Sequence, residues 1–560
     1  MKLFFSFYCL FCLFFLVKSA EAQIEHHHHA GKQPIPVSFK NNQNDSVRIV
    51  YIWNAERLRS ETKDTATKLQ SLIGDVELQE ENTFFFCDSV VLNPAQNILE
   101  AFGNIQMNDS DTTHIYSQYM KYLVDKKMVY FHKSVKLTDG KGTLFTEDLQ
   151  YDLNQKIGIY TNGGKVINKS TTLTSREGTY YGDTKDVYFR KEVVLIDPEY
   201  KLRADSLLYN TQFQLATFIT RTFIEDSSGS TIVTREGNYD LQNHKAQFGK
   251  RAVIKQASQE ITGDNVNIDE VSGISAATGN AIYQDSAQGI RVIGNRLLVD
   301  QRTNTFIATE SPLAILKQDK DSVYISADTL YSGFLKDSSG MDSTLAGDTL
   351  KAQSKIKGKT SNDSSSRYLQ GYHHVRIFSD SLQSVADSLF YSGKDSTFRL
   401  FTNPIVWVNG NQITGDTIFL FMENKKPKRL YVFENGILVN KVAANMYNQI
   451  KGTTINGYFI NGEINFMHAK GNAESYYYAQ DDNKAFVGVN HSTADVIDMY
   501  FKEKALNKVV LRSDAEGVMY PFKKVNFDEM RLKGFRWLDS KRPKTRFELF
   551  EAIPKEPDNE

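Results

Sequence analysis

A short pattern returns about every thirty residues along this chain, and that beat constrains the fold more than any single motif does. The pattern is a small residue, a polar anchor that is most often Asp or Glu, any residue, an apolar residue, any residue, and an apolar or aromatic residue. It reads AERLRS at 55–60, CDSVVL at 87–92, SQYMKY at 117–122, TEDLQY at 146–151, REGTYY at 176–181 and ADSLLY at 204–209. It continues as REGNYD at 235–240, GDNVNI at 263–268, GNRLLV at 294–299, ADTLYS at 327–332, ADSLFY at 386–391 and GDTIFL at 415–420. About fifteen residues after an anchor a second extended run begins, usually opened by Gly, Asn or Lys: GNIQM at 103–107, KSVKL at 133–137, KEVVLI at 191–196, GNAIY at 279–283, SPLAIL at 311–316 and NGILV at 435–439. One unit is therefore two strands and two connections.

β-Branched and aromatic residues fill the runs, and only 11 prolines occur in 560 residues, which suits strands. The pairs Asp139-Gly140, Asn162-Gly163, Asn409-Gly410, Asn435-Gly436 and Asn461-Gly462 mark places where the chain can reverse. No long amphipathic helix precedes residue 520, so the expected fold is all-β, an elongated repeat built of two-strand units. Period-two alternation places the residues two and four beyond each anchor on one face. The rows so defined include Leu58, Thr179, Tyr181, Asn238 and Tyr391, and above all Val90, Leu92, Met120, Tyr122, Leu149, Tyr151, Leu207, Tyr209, Val266, Ile268, Leu297 and Val299. Stacked units make of them either an apolar groove or a filled core.

Lys and Arg number 66 against 67 Asp and Glu, a net charge of −1, so no basic field points to nucleic acid. Residues 1–22, MKLFFSFYCLFCLFFLVKSAEA, have one Lys, an apolar run from Leu3 to Val17 and Ala20 and Ala22 in an A-x-A arrangement. That run is too short for a comfortable span and reads as a cleaved secretory signal. Cys9 and Cys12 fall inside it, which leaves Cys87 as an unpaired thiol of the mature chain. His26, His27, His28 and His29 open a polar leader at 23–45; they are weak metal candidates, because a flexible tract imposes no coordination geometry. Residues 334–367, rich in Ser, Lys, Gly and Asp, interrupt the beat as a flexible insertion. The chain is thus divided into repeats at 46–333, the insertion, further repeats at 368–510 and a C-terminal extension at 511–560.

The small-Asp-x-Leu-x-Tyr strand followed by a Gly-Asn-Val-type strand, with TFFFCDSVVL at 83–92 and LEAFGNIQM at 99–107, resembles the OstA-like family. This is the β-jellyroll of LptA, LptC and the LptD N-terminal domain. Later phrases such as NQITGDTIFLF and YNQIKGTTINGYF are similar to those of the long OstA-like proteins of the Bacteroidota. The resemblance implies a V-shaped jellyroll (a β-taco) whose apolar interior receives the acyl chains of lipopolysaccharide. It implies a periplasmic place, possible self-association, edge-strand pairing with other lipopolysaccharide transport proteins, and a bridge toward the outer membrane. The twelve row residues from Val90 to Val299 are then the groove candidates.

No H-E-x-x-H, G-x-S-x-G, P-loop or G-x-G-x-x-G is present, so neither enzyme nor cofactor is expected. The recurrent carboxylates Asp88, Glu147, Asp205, Asp264, Asp328, Asp387 and Asp416 are expected to serve turn or edge hydrogen bonds. The basic clusters Lys425, Lys426, Lys428, Arg429 and Lys541, Arg542, Lys544, Arg546 read as a solvated turn and tail, with lipid phosphate as the other reading. His373 and His374 are adjacent in an extended run, an awkward arrangement for a shared metal. The competing reading of the whole is a structural or adhesive β-solenoid with a surface-borne, carbohydrate-type binding function; an outer-membrane barrel and a polysaccharide lyase are the lesser alternatives.

Overall fold

The computed structural model describes residues 33–40, 47–62, 68–109, 113–317, 322–335, 367–423, 426–481, 483–503 and 505–551. The signal segment, the four histidines, Lys425 and most of the insertion lie outside the described residues. Within them the chain is all-β: strands follow one another from Ile35–Lys40 to Glu516–Pro521, with short 3-10 turns only after that. No described helix is long and apolar enough to cross a membrane. The stretch read as leader is shortened, because Ile35–Lys40 pairs antiparallel with Val47–Asn54 and buries Val37 and Phe39. The chain divides into two compact units, residues 1–131 and 132–560.

The construction of the second unit rests on how its strands pair. Tyr200–Asn210 pairs through Leu207–Asn210 with Leu215–Phe218, and through Tyr200–Ala204 with Thr222–Asp226. Its other neighbour, Asp186–Ile196, shifts register between Arg190 and Val193, where Lys191 and Glu192 both take positive φ. One strand therefore crosses a corner and serves two sheet faces. The same left-handed pair recurs at Lys250-Arg251, Gly279-Asn280, Glu310-Ser311, His373-His374 and Glu434-Asn435. These dipeptides open the second run of each repeat, so the Gly, Asn or Lys seen there marks a corner. The first unit repeats the plan, with corners at Gly74-Asp75 and Gly103-Asn104.

Two turn readings separate in the structure. Asn409-Gly410 and Asn461-Gly462 do reverse the chain between paired strands, with positive φ at both residues. Asn435-Gly436 does not: it lies inside Lys426–Ala443, which bends there and continues.

The C-terminal extension is a strap laid back over the outside of the later repeats. Gln449 donates to the Met530 carbonyl (2.7 Å) and accepts from the Leu532 N–H (2.9 Å). Gln412 repeats this with the Arg536 carbonyl (2.7 Å) and the Leu538 N–H (2.7 Å). Farther along, Arg542 donates to Gln383 (2.6 Å) and Arg376 donates to the Glu548 carbonyl (2.6 Å). Apolar strap residues fill the gaps: Met530 packs with Met446, Tyr478 and Val489, and Leu538 with Val385, Ile405 and Trp407. Strands such as Ile405–Val408 are therefore buried on both faces.

Candidate lipid-binding interior

All twelve groove candidates face inward. Val90, Leu92, Met120, Tyr122, Leu149, Tyr151, Leu207, Tyr209, Val266, Ile268, Leu297 and Val299 are each 8% exposed or less. The side chains of both faces fill the space between them, so the rows form a core rather than an open groove in this structure. Leu58 departs from its row at 57% exposure. Two units are also out of phase by one residue. In REGTYY, Tyr180 is buried and Tyr181 exposed, because Gly158 pairs with Tyr180 and Tyr160 with Gly178. Gly178 is required there, since a Cβ would enter the ring of Tyr160. In REGNYD the buried residue is Tyr239, paired with Ala216, and Asn238 turns outward. The true anchor of the first case is Arg176, whose N–H donates to the carbonyl of corner residue Lys191 (3.0 Å).

Most of the recurrent carboxylates cap the corners. Asn104 donates to Asp88 (3.0 Å), Asn280 to Asp264 (3.0 Å) and Asn435 to Asp416 (3.0 Å). The Ser134 N–H donates to Glu147 (3.3 Å), and Asp205 accepts from the neighbouring Ser206 hydroxyl (3.4 Å). Corner histidines take the place of Asn at one unit: His374 pairs with Asp328 (2.8 Å) and His373 with Asp387 (3.2 Å). The two imidazoles thus engage different carboxylates on neighbouring units. A carboxylate beside a left-handed corner accepts the donors that this tight backbone presents, which explains why Asp and Glu keep the beat.

Opposite the corners, the turns of the two faces meet along a seam. Asp139 accepts from Tyr180 (3.1 Å) and Thr211 (3.2 Å), Asn168 donates to the Thr211 carbonyl (2.7 Å), and Lys169 donates to Gln214 (2.8 Å). Farther along, Glu199, His244 and Glu270 bring one ligand atom each within 4.8 Å of one another, and Tyr239 donates to Glu270 (3.2 Å). Burial raises the Glu270 carboxyl above its ordinary range, with the Tyr200 and Tyr239 hydroxyls and His244 opposing that shift. This trio is the described set best suited to a cation, and the sequence hid it, because its members come from three different turns. In the first unit Glu80 is buried, accepts from Tyr122 and lies 3.4 Å from Arg48. Cys87 is buried, which pushes its thiol up to about 12 and leaves it unreactive.

Among the described residues the seam opens into a cavity of about 380 Å³, lined among others by Ile290, Leu316, Val323, Arg367, Leu369 and Phe398. Members of both basic clusters are engaged within the protein. Lys428 pairs with Glu423 (2.6 Å), and Arg429 donates to Asn456 (2.8 Å) and sits over Tyr431. The second cluster belongs to the strap, where Lys544 pairs with Asp539 (3.3 Å) and Arg546 donates to the Tyr324 hydroxyl (3.3 Å).

No curated protein matches this chain. Among solved structures, one similar chain is described as LptH, the LptA homologous periplasmic component of the conserved lipopolysaccharide transport device from Pseudomonas aeruginosa. It is 13% identical, and the match covers 19% of this chain and 79% of that one with a TM-score of 0.18. The family model described as OstA-like protein matches residues 48–205, the stretch that holds the first repeats, their corners and half of the inward rows. By that match residues 48–205 carry the OstA-like repeat.

Proposed function

We propose that this chain is a non-enzymatic transport component of the cell envelope that holds the acyl chains of lipopolysaccharide between its two sheet faces. On this reading it is exported by residues 1–22, works in the periplasm and pairs by edge strands with other transport proteins toward the outer membrane. The observation that carries the reading is the inward apolar rows, which recur from unit to unit across and beyond the OstA-like match. Apolar contact is worth about 25 cal/mol per Å², so similar rows repeated along a chain offer a lipid a series of near-equal sites. Because the rows are packed in this structure, lipid entry requires the seam to part. Side-chain hydrogen bonds close the seam where the corner edge has continuous backbone, so the seam is the weaker edge.

The filled interior also favours a second reading, in which the rows are only core and binding is carried on the outer surface. One experiment separates the two. A photo-crosslinking residue placed at Leu149 or Tyr209 is expected to capture lipopolysaccharide in cells, while exposed Phe145 or Phe213 is not. Capture only from the exposed positions would overturn the transport reading and leave the surface reading standing.

A further inference from the structure

Arg367 is a cation in the wrong place for a purely structural role. It is only 6% exposed, and it extends from the strand Arg367–Phe378 into the end of an inward row. Among the described residues its polar contacts are all neutral: one nitrogen donates to the Ser332 hydroxyl (3.1 Å), another to the Asn304 carbonyl (3.5 Å), and the Tyr283 hydroxyl lies beside it. Its Nε has no hydrogen-bond partner among the described residues. The guanidinium rests on the ring of Phe334 at 4.4 Å and near Phe306 at 5.8 Å. A buried charge without a counter-charge is costly, and burial is ordinarily tolerated when an opposite charge is present.

A counter-charge has a place to sit. Arg367 lines the cavity of about 380 Å³ in the seam, and no described residue lining that cavity is acidic, whereas Lys317 also contributes to its wall. Asp285, the buried acid adjoining the lining turn, accepts from the Ser258 hydroxyl (2.8 Å) and the Ala287 N–H (3.1 Å) and forms no ion pair with Arg367. Apolar wall is supplied by Ile290, Leu316, Val323, Leu369 and Phe398. At about 30 Å³ per water in the liquid, the volume is far larger than one or two bridging waters need.

We propose that this cavity binds an anionic amphiphile, its phosphate or carboxylate head on the Arg367 guanidinium and the start of its alkyl chain against the apolar wall. Head and first chain segment are both held by the cavity itself, so the site does not depend on which lipid, if any, the rows hold.

Titration calorimetry on the mature full-length chain tests this with octyl phosphate, octanol and inorganic phosphate. Octyl phosphate is expected to bind wild type at least about tenfold more tightly than either of the others, and Arg367→Met to remove that advantage. Arg367→Lys, which keeps the charge, is expected to retain most of it. Equal binding of octyl phosphate and octanol, or octyl phosphate binding unaffected by Arg367→Met, would overturn the proposal. So would inorganic phosphate binding as tightly as octyl phosphate, which would leave a plain anion site. If Arg367→Met does not fold, the wild-type preference between octyl phosphate and octanol decides alone. Failure of lipopolysaccharide crosslinking at Leu149 and Tyr209 touches only the transport reading, so the two can fail separately.

Discussion

At the scale of single residues, the corners show how tightly backbone and side chain are matched. Gly103 has φ +73°, and a Cβ there would collide with the Asp88 carboxylate that caps the corner. Gly103→Ala is expected to destabilise the fold by about 1 kcal/mol or more, through both the φ and the clash. Adding Asp88→Ala removes the clash but leaves the φ, so the double variant should recover part of the loss in urea unfolding; strict additivity would count against the contact. Glu80 offers a second test. Burial raises its carboxyl above the ordinary value of 4.5, against the opposing Tyr122 hydroxyl and Arg48 guanidinium. A folded pKa above the unfolded one means the folded state binds the proton more tightly. That contribution is present at and below the unfolded value and is lost as the pH rises through the folded value. Wild type should therefore lose stability relative to Glu80→Gln between about pH 4.5 and neutrality. A difference that stays constant across that range would refute the assignment.

At the scale of elements, a strand here is a bent object shared by two faces, and its two halves take different neighbours. The inward rows were legible in the sequence because alternation within a strand and recurrence between strands agree at Leu149, Tyr151, Leu207 and Tyr209. They failed at REGTYY and REGNYD for a physical reason. Thr179, Tyr180 and Tyr181 can each occupy an inward position by polarity, and only the pairing of Tyr160 with Gly178 settles which do. The strap was legible only as an extension, since Gln412 and Gln449 lie 126 and 83 residues from the Leu538 and Leu532 N–H groups they accept from. Each buried glutamine offers one donor and one acceptor to the strap backbone, a match that alanine cannot make. Gln412→Ala is expected to cost about 1–3 kcal/mol, because it orphans a buried N–H and a carbonyl. Limited proteolysis should then cut the strap near Arg536 before the repeats; simultaneous digestion of both would mean that the strap is not held independently.

At the scale of the whole molecule, the repeat supplies the interior and the strap supplies a cover for the outer face of the later repeats. Trp407, Tyr478 and Val489 owe part of their burial to that cover. Ending the chain at Pro521 should therefore expose a contiguous apolar patch, bind a hydrophobic dye and promote self-association. A truncated chain that stays monodisperse and silent to the dye would show that the repeats close that face themselves.

The linear order of residues determines the all-β class, the thirty-residue unit, the face on which twelve side chains lie and the positions of the corner carboxylates. These are local or periodic properties, set by strand alternation and by residues that suit or refuse a left-handed backbone. Whether the rows enclose a core or a groove, which turns meet across the seam, and that Arg367 is buried with no counter-charge among the described residues depend on contacts between residues far apart in the chain. Such contacts arise only when two faces are folded against each other, and the pairing of Glu199 with His244 and Glu270, or of Gln412 with the strap, leaves no periodic trace in the sequence.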